Sequence, residues 1–141
     1  MKTGDRGQVL VVVAVAFVAL LGFAALAVDV AYMYTVRNEL QRCADAGALA
    51  GASAFVDNDA TVARARAINF ASLNTVAGSL LIVAVDNVDV FPLPADNLVR
   101  VRTGSTVNLF FARIFGRETT TVQAVAAAKY LLSDNTLRLV E

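Results

Sequence analysis

The spacing of apolar positions divides this chain into two regimes. Twenty consecutive residues, Val9 to Val28, read VLVVVAVAFVALLGFAALAV and carry neither a charge nor a polar side chain. At about 1.5 Å of rise per residue, a helix of that length spans roughly 30 Å, the thickness of a bilayer's hydrocarbon core. It is apolar on every face, so it has no stripe for a protein core and none for water. The run predicts a transmembrane helix. Asp29 ends it abruptly, yet neither Gly nor Pro stands between Asp29 and Ala46 to end the helix. The pattern changes instead. Met33, Val36, Leu40, Cys43, Gly47, Ala50 and Ala54 recur at steps of three and four, which places them on one helical face. Arg37, Glu39, Arg42 and Asp45 fall off it, and Tyr32 and Tyr34 stand where amphipathic rings meet a membrane surface. One long helix is therefore expected over residues 8–55, in lipid over about 9–28 and projecting over 29–55.

The seam narrows as it climbs. Met33, Val36 and Leu40 are large, whereas nearly everything from Cys43 to Ala54 is small. Gly47 and Gly51 form a small-xxx-small pair that admits a second backbone at close range. Two partners fit it on these grounds: a sheet of the same chain, or the helix of a neighbouring subunit.

Beyond the seam the periods are shorter. Asn58 or Asp59 suits the N-cap of a second helix over about Ala60 to Leu73, with Ala63, Ala67 and Phe70 inward and Arg64 and Arg66 outward. Asn74 to Gly78 is expected to turn, and Ser79 to Val85 fits a strand or a buried coil. Val85 to Phe91 reads as a strand stopped by Pro92 and Pro94, and Leu98 to Thr103 alternates as a half-buried strand, with a hairpin loop over 94–97. Arg100 and Arg102 would be the wet face of an edge strand. Gly104 and Ser105 predict a turn, and Asn108 to Phe115 a short helix closed by Gly116. Thr119 to Tyr130 reads as a long strand with Val122, Ala124, Ala126, Ala128 and Tyr130 on one face. The last ten residues carry no clear pattern. The fold class expected is α+β: a long N-terminal transmembrane helix extending into a small head, residues 56–141, with a three-stranded antiparallel sheet, which is a pilin-like plan.

Composition narrows the function. The chain has 141 residues, 12 basic and 12 acidic, for a net charge of zero, so no nucleic-acid footprint is present. Histidine is absent and Cys43 is the single cysteine, which leaves no intrachain disulfide, no cysteine cluster for zinc and no nucleophile with a base in reach. No enzyme, cofactor, metal or small-molecule substrate is expected; Asp57 and Asp59 around Asn58 suit a helix cap better than a calcium loop. Asp29 is an interfacial charge, either hydrated or paired with a basic residue of a partner. Asp45 reads as a solvated residue. The tail over residues 1–7 carries Lys2 and Arg6 and would stay in the cytoplasm, with the head outside. A secreted domain freed by cleavage after Ala25-Leu26-Ala27 competes with this reading, although the apolar run exceeds the usual length of a signal sequence.

Three stretches at fixed spacing also resemble a known family. Arg6-Gly7-Gln8 precedes the apolar run, Leu26-Ala27-Val28-Asp29 closes it, and Leu40-Gln41-Arg42-Cys43-Ala44-Asp45-Ala46-Gly47-Ala48-Leu49-Ala50-Gly51-Ala52 follows. Over residues 6–52 this is similar to the N-terminal domain of TadG-like Flp pilus-assembly proteins of the Tad (tight adherence) system. Phe110 to Gly116, followed by Val122 to Ala128, resembles the tail of TadE/TadG-like proteins in order. Cys43 departs from the family, which usually has Ala there. A type IV prepilin would carry Glu where Val12 stands, counted from Gly7, which speaks against processing at Gly7 and against a major pilin. The resemblance implies a non-enzymatic component of a Tad/Flp-type pilus or secretion apparatus. It would be single-pass in the inner (cytoplasmic) membrane of a bacterial cell envelope, with the lipid bilayer and other pilus-assembly or pilin-like subunits, or copies of itself, as partners. Its interface residues would be Met33, Val36, Leu40, Cys43, Gly47, Ala50, Gly51 and Ala54. The alternative is a stand-alone membrane-anchored extracytoplasmic binding module.

Overall fold

An unbroken helix, α1, runs from Thr3 to Ser53 in the computed structural model, 51 residues or about 75 Å at helical rise. The structure describes residues 3–56, 59–82, 87–91, 97–131 and 136–140, with side chains from residue 7 onward and not that of Val56. The charges of Lys2 and Arg6, the loop residues Asp57 and Asn58, the strand start at Val85, and Pro92, Pro94 and most of the 94–97 loop lie outside the described residues.

From Gly7 to Val28, α1 is exposed all round except at half-buried Ala25. Among the described residues it is the one helix long and apolar enough to cross a membrane, and its most apolar window is uncovered. From Asp29 onward one face is covered: Val36, Leu40, Cys43, Ala44, Gly47, Ala48, Gly51 and Ala52 are buried. A short 3-10 turn, Ala54–Val56, follows and plants Phe55 in the core.

Helix α2, Ala60–Ser72, starts at Asp59, whose carboxylate accepts the N–H groups of Thr61 at 2.8 Å and Val62 at 3.2 Å. Ala63, Ala67 and Ala71 recur every fourth residue and pack on α1. Phe70, expected inward, is 45% exposed. The approach of α2 to the glycines of α1 leaves room for methyl groups only, so Ala71 takes the inward place.

Strands β1, Thr75–Val76, and β2, Ser79–Leu80, form a small hairpin where a simple turn is expected. Ala77 and Gly78 both have positive φ, at 51° and 79°. Alanine seldom adopts that conformation. Here its N–H donates to the Glu39 carboxylate of α1 at 2.9 Å, which ties the hairpin to the stem.

The main sheet corrects the expected three strands to four: β3, Val88–Phe91; β4, Leu98–Asn108; β5, Thr119–Leu131; β6, Thr136–Val140. All neighbours are antiparallel, in order β3-β4-β5-β6. The additional strand is β6, every residue of which is exposed. Its register with β5, Val140 to Thr136 opposite Ala127 to Leu131, makes it a strand. Gly104-Ser105 does not turn; β4 runs through it in register with β5, Gly104 opposite Gln123 and Ser105 opposite Val122. Eleven consecutive pairs outweigh one weak turn signal. The inward pairs Val99 with Ala128, Val101 with Ala126 and Thr103 with Ala124 set a larger side chain against a methyl group and lay a flat face against α1.

Two further expectations change. Strand β4 is internal, not an edge. Arg102 grips Asp89 of β3 with two nitrogens, at 2.6 and 3.2 Å, and Arg100 lies over the Phe91 ring at 5.9 Å. The helix expected over 108–115 is a 3-10 turn, Ala112–Phe115, reached from β4 through Leu109–Phe111. Its apolar side chains meet no core that would extend it. Gly116 closes it at φ 79°, as its cap position implies.

Candidate functional site

Stem and head are joined at Asp29. This carboxylate, one residue past the apolar run, is 1% exposed. It accepts three successive backbone N–H groups from the β4–β5 connection: Phe110 at 2.8 Å, Phe111 at 3.0 Å and Ala112 at 2.7 Å. These donors open the 3-10 turn, where backbone N–H groups have no partner within the turn. Asp29 therefore caps another element's turn through charge-assisted bonds. Burial raises its pKa, but the bonds from Phe110, Ala112 and Phe111 and the nearby charge of Arg113 outweigh that, and the carboxyl sits below its ordinary value. The expected hydrated or partner-paired charge is thus corrected: its ligands are amides of its own chain. Tyr32, one turn up, meets Phe110 edge to face at 5.4 Å.

Higher on α1, the glycines lie under α2. A Cβ on Gly47 would fall 2.8 Å from the Ala67 carbonyl oxygen and 2.9 Å from the Ala71 methyl. One on Gly51 would fall 2.9 Å from both the Ala67 methyl and Val99 Cγ1, and 3.0 Å from the Ala63 carbonyl oxygen. The small half of the seam is occupied within the chain: α2 covers both glycines, a partner the sequence did not suggest, and Val99 of the sheet, the same-chain partner it did suggest, closes over Gly51. Val36, Leu40, Cys43 and Ala54 are buried as well, whereas Met33 and Ala50 are half-exposed. Leu40 is also tied by its carbonyl, which accepts the buried Thr103 hydroxyl at 3.0 Å. Asp45 is half-buried and accepts from Gln41 at 2.8 Å, while Gln41 also reaches the Val125 carbonyl at 3.3 Å.

Two grooves border the exposed seam residues. One is lined by Val30, Met33, Tyr34 and Arg37 with Thr120 to Gln123. The other, about 570 Å³ and almost wholly apolar, lies between Ala46, Leu49, Ala50 and Ser53 of α1, Arg66 and Phe70 of α2 and Leu137 of β6. Among the described residues, no three Cys, Asp or Glu side chains gather as a metal site.

Cys43 is buried, and desolvation, reinforced by Glu39 and only partly offset by Arg42, pushes its thiol pKa up. Folded protein should therefore resist alkylation at about pH 8, where an ordinary thiol already reacts, and run as a monomer on non-reducing gels. A covalent dimer lost in Cys43→Ser would overturn this.

What the sequence did not disclose is the donor set on Asp29. Backbone amides carry no sequence signature; only the run Phe110-Phe111-Ala112-Arg113-Ile114-Phe115 marked the segment at all.

The architecture defines a class: a long helix, apolar and uncovered over its first half, continuing as the spine of a small α+β head. Residues 7–54, the whole of the apolar run and the seam, match the Tad family model, described as Flp pilus-assembly TadE/G-like. The matched stretch is about a third of the chain and lies almost wholly on its long helix. No curated protein and no solved structure matches the chain.

Proposed function

We propose that the protein is a membrane-anchored, non-enzymatic subunit of a Tad/Flp-type pilus or secretion apparatus, pilin-like or minor, working through helix packing. The observation that carries this reading is the Tad match over 7–54, which falls on a helix exposed on all sides through residues 7–28. The parts are a cytoplasmic tail, residues 1–7, a long helix, residues 8–55, and an extracytoplasmic head, residues 56–141. The stem sits in the inner membrane, N-terminus inside.

In lipid, helices associate by close van der Waals contact rather than by a hydrophobic drive. The Gly47–Gly51 strip is taken by α2, so neighbouring subunits, or further copies of this chain, meet the stem itself and the borders left open at Met33 and Ala50. The seam's buried members then act indirectly, by holding the head at a fixed angle to the stem.

A photo-crosslinker placed at Phe17 or Leu21 in cells making the whole apparatus should trap other pilus-assembly subunits. A reporter active only outside the cytoplasm, fused after Glu141, should be active. Crosslinks to lipid alone, with filament assembly unchanged when the protein is deleted, would sink the assembly role. Activity of a cytoplasmic reporter instead would invert the topology.

A further inference from the structure

The β4–β5 connection is the end of the head nearest the apolar half of the stem. Two contacts set its direction. The Thr103 hydroxyl reaches the Leu40 carbonyl, and further along the same strand's exit the Phe110 N–H reaches Asp29. Strand β4 therefore descends along α1 toward the apolar run and β5 climbs back. Residues 109–118 turn over at the height where that run ends.

This tip carries a cluster that a water-facing loop would not need. Phe110 and Phe111 are 51% and 40% exposed, and Ile114 and Phe115 are 76% and 77% exposed. No residue of the 3-10 turn is buried. Single exposed apolar side chains are ordinary, but four large ones within six residues form a patch. The patch is continuous with the stem, because Asp29 holds its backbone one residue beyond Val28, the last residue of the apolar run. Arg113, Arg117 and Glu118 are exposed beside it. With Asp29 included, two positive charges meet two negative ones, so adhesion here is apolar rather than Coulombic.

We propose that the β4–β5 tip is a second membrane contact. Phe110, Phe111, Ile114 and Phe115 lie in the interfacial layer of the leaflet from which the stem emerges, where aromatic rings are favoured, and Arg113 and Arg117 stand at headgroup height. The Asp29 clamp sets the depth. The head is then seated on the bilayer at two points, which fixes its tilt and not only its tether. This inference rests on residues 9–28 spanning the membrane, and its test separates the two.

The chain contains no tryptophan, so single reporters are clean. Full-length Phe115→Trp, Ile114→Trp, Phe17→Trp and Leu80→Trp proteins are reconstituted in phosphatidylcholine vesicles with and without lipids brominated near the top of the acyl chains and, for Phe17→Trp, near their ends. The tip reporters should emit to the blue of free tryptophan and lose intensity with brominated lipid, in neutral vesicles as well as in ones containing phosphatidylglycerol. Leu80→Trp, on the β1–β2 hairpin, should not. Quenching at Phe17 with solvent-like, unquenched emission at both tip positions overturns the proposal and leaves the stem reading intact. Blue but unquenched tip emission means a protein covers the patch and overturns it too. Loss of quenching at Phe17 as well overturns both.

Discussion

Gly51→Leu should unfold the head at a temperature well below that of the wild type. The new Cβ alone would lie within 3.0 Å of a methyl group, a valine branch and a backbone oxygen. Two of those atoms belong to α2 and one to β4, so relief requires moving the second helix away from the spine. Forcing extra carbons into a packed core costs about 1–3 kcal/mol and at times more. For a head of this size that lowers the melting temperature by roughly 4–8 °C per kcal/mol. Gly47→Leu should behave alike, since Ala67 and Ala71 close over it. Gly51→Ala should fall between, because the better helix propensity of alanine, about 1 kcal/mol, offsets part of the clash. Gly22→Ala and Gly104→Ala are controls: nothing lies within 4 Å of a Cβ at Gly22, and the neighbours at Gly104 stand 3.5 Å or further away. Thermal melts in detergent with limited proteolysis read the series. A folded head with loss only of co-purifying subunits would instead make the glycine strip an assembly surface.

The second large effect is expected at Asp29. Asp29→Asn preserves the size but turns one acceptor toward the amides into a donor, so the N–H groups of Phe110, Phe111 and Ala112 can no longer all be satisfied. Asp29→Ala leaves all three without the carboxylate. Either change should free the 109–118 tip, seen as new protease cleavage there and a lower melting temperature, more for alanine than for asparagine. The pH dependence has a defined sign. The folded carboxyl lies below its ordinary 3.8, so the clamp contributes fully at neutral pH. Its contribution begins to fall as pH drops toward 3.8 and is gone below the folded-state value. The wild-type tip should therefore become protease-sensitive in acid, tested with pepsin, while Asp29→Asn should show the sensitivity at neutral pH. An unchanged tip in Asp29→Asn at neutral pH would show that the clamp holds nothing.

Some of this was legible in the residues alone. The twenty-residue apolar run dictates a helix too apolar to bury in so small a chain, and the absence of Gly and Pro after Asp29 carries that helix onward. Period-two alternation marked the inward face of β5, and the three-and-four spacing marked most of the buried face of α1. These signals are local, so a linear pattern holds them. The tertiary structure decided what each surface meets. Gly47 and Gly51 announce a close neighbour, but a gap for a backbone is the same gap whether a sheet, a second subunit or α2 fills it. Phe70 and Ala71 compete for one inward place, and only the distance between two helices chooses the methyl group. Gly104 and Ser105 look like a turn until eleven residues pair across them, and the exposed β6 is a strand only through its pairing with β5. Asp29 carries the plainest case. Its charge at the end of an apolar run is visible in the sequence, whereas its partners are three amide groups 81 to 83 residues away. Every residue but proline has such an amide, so only the fold could bring those three to it.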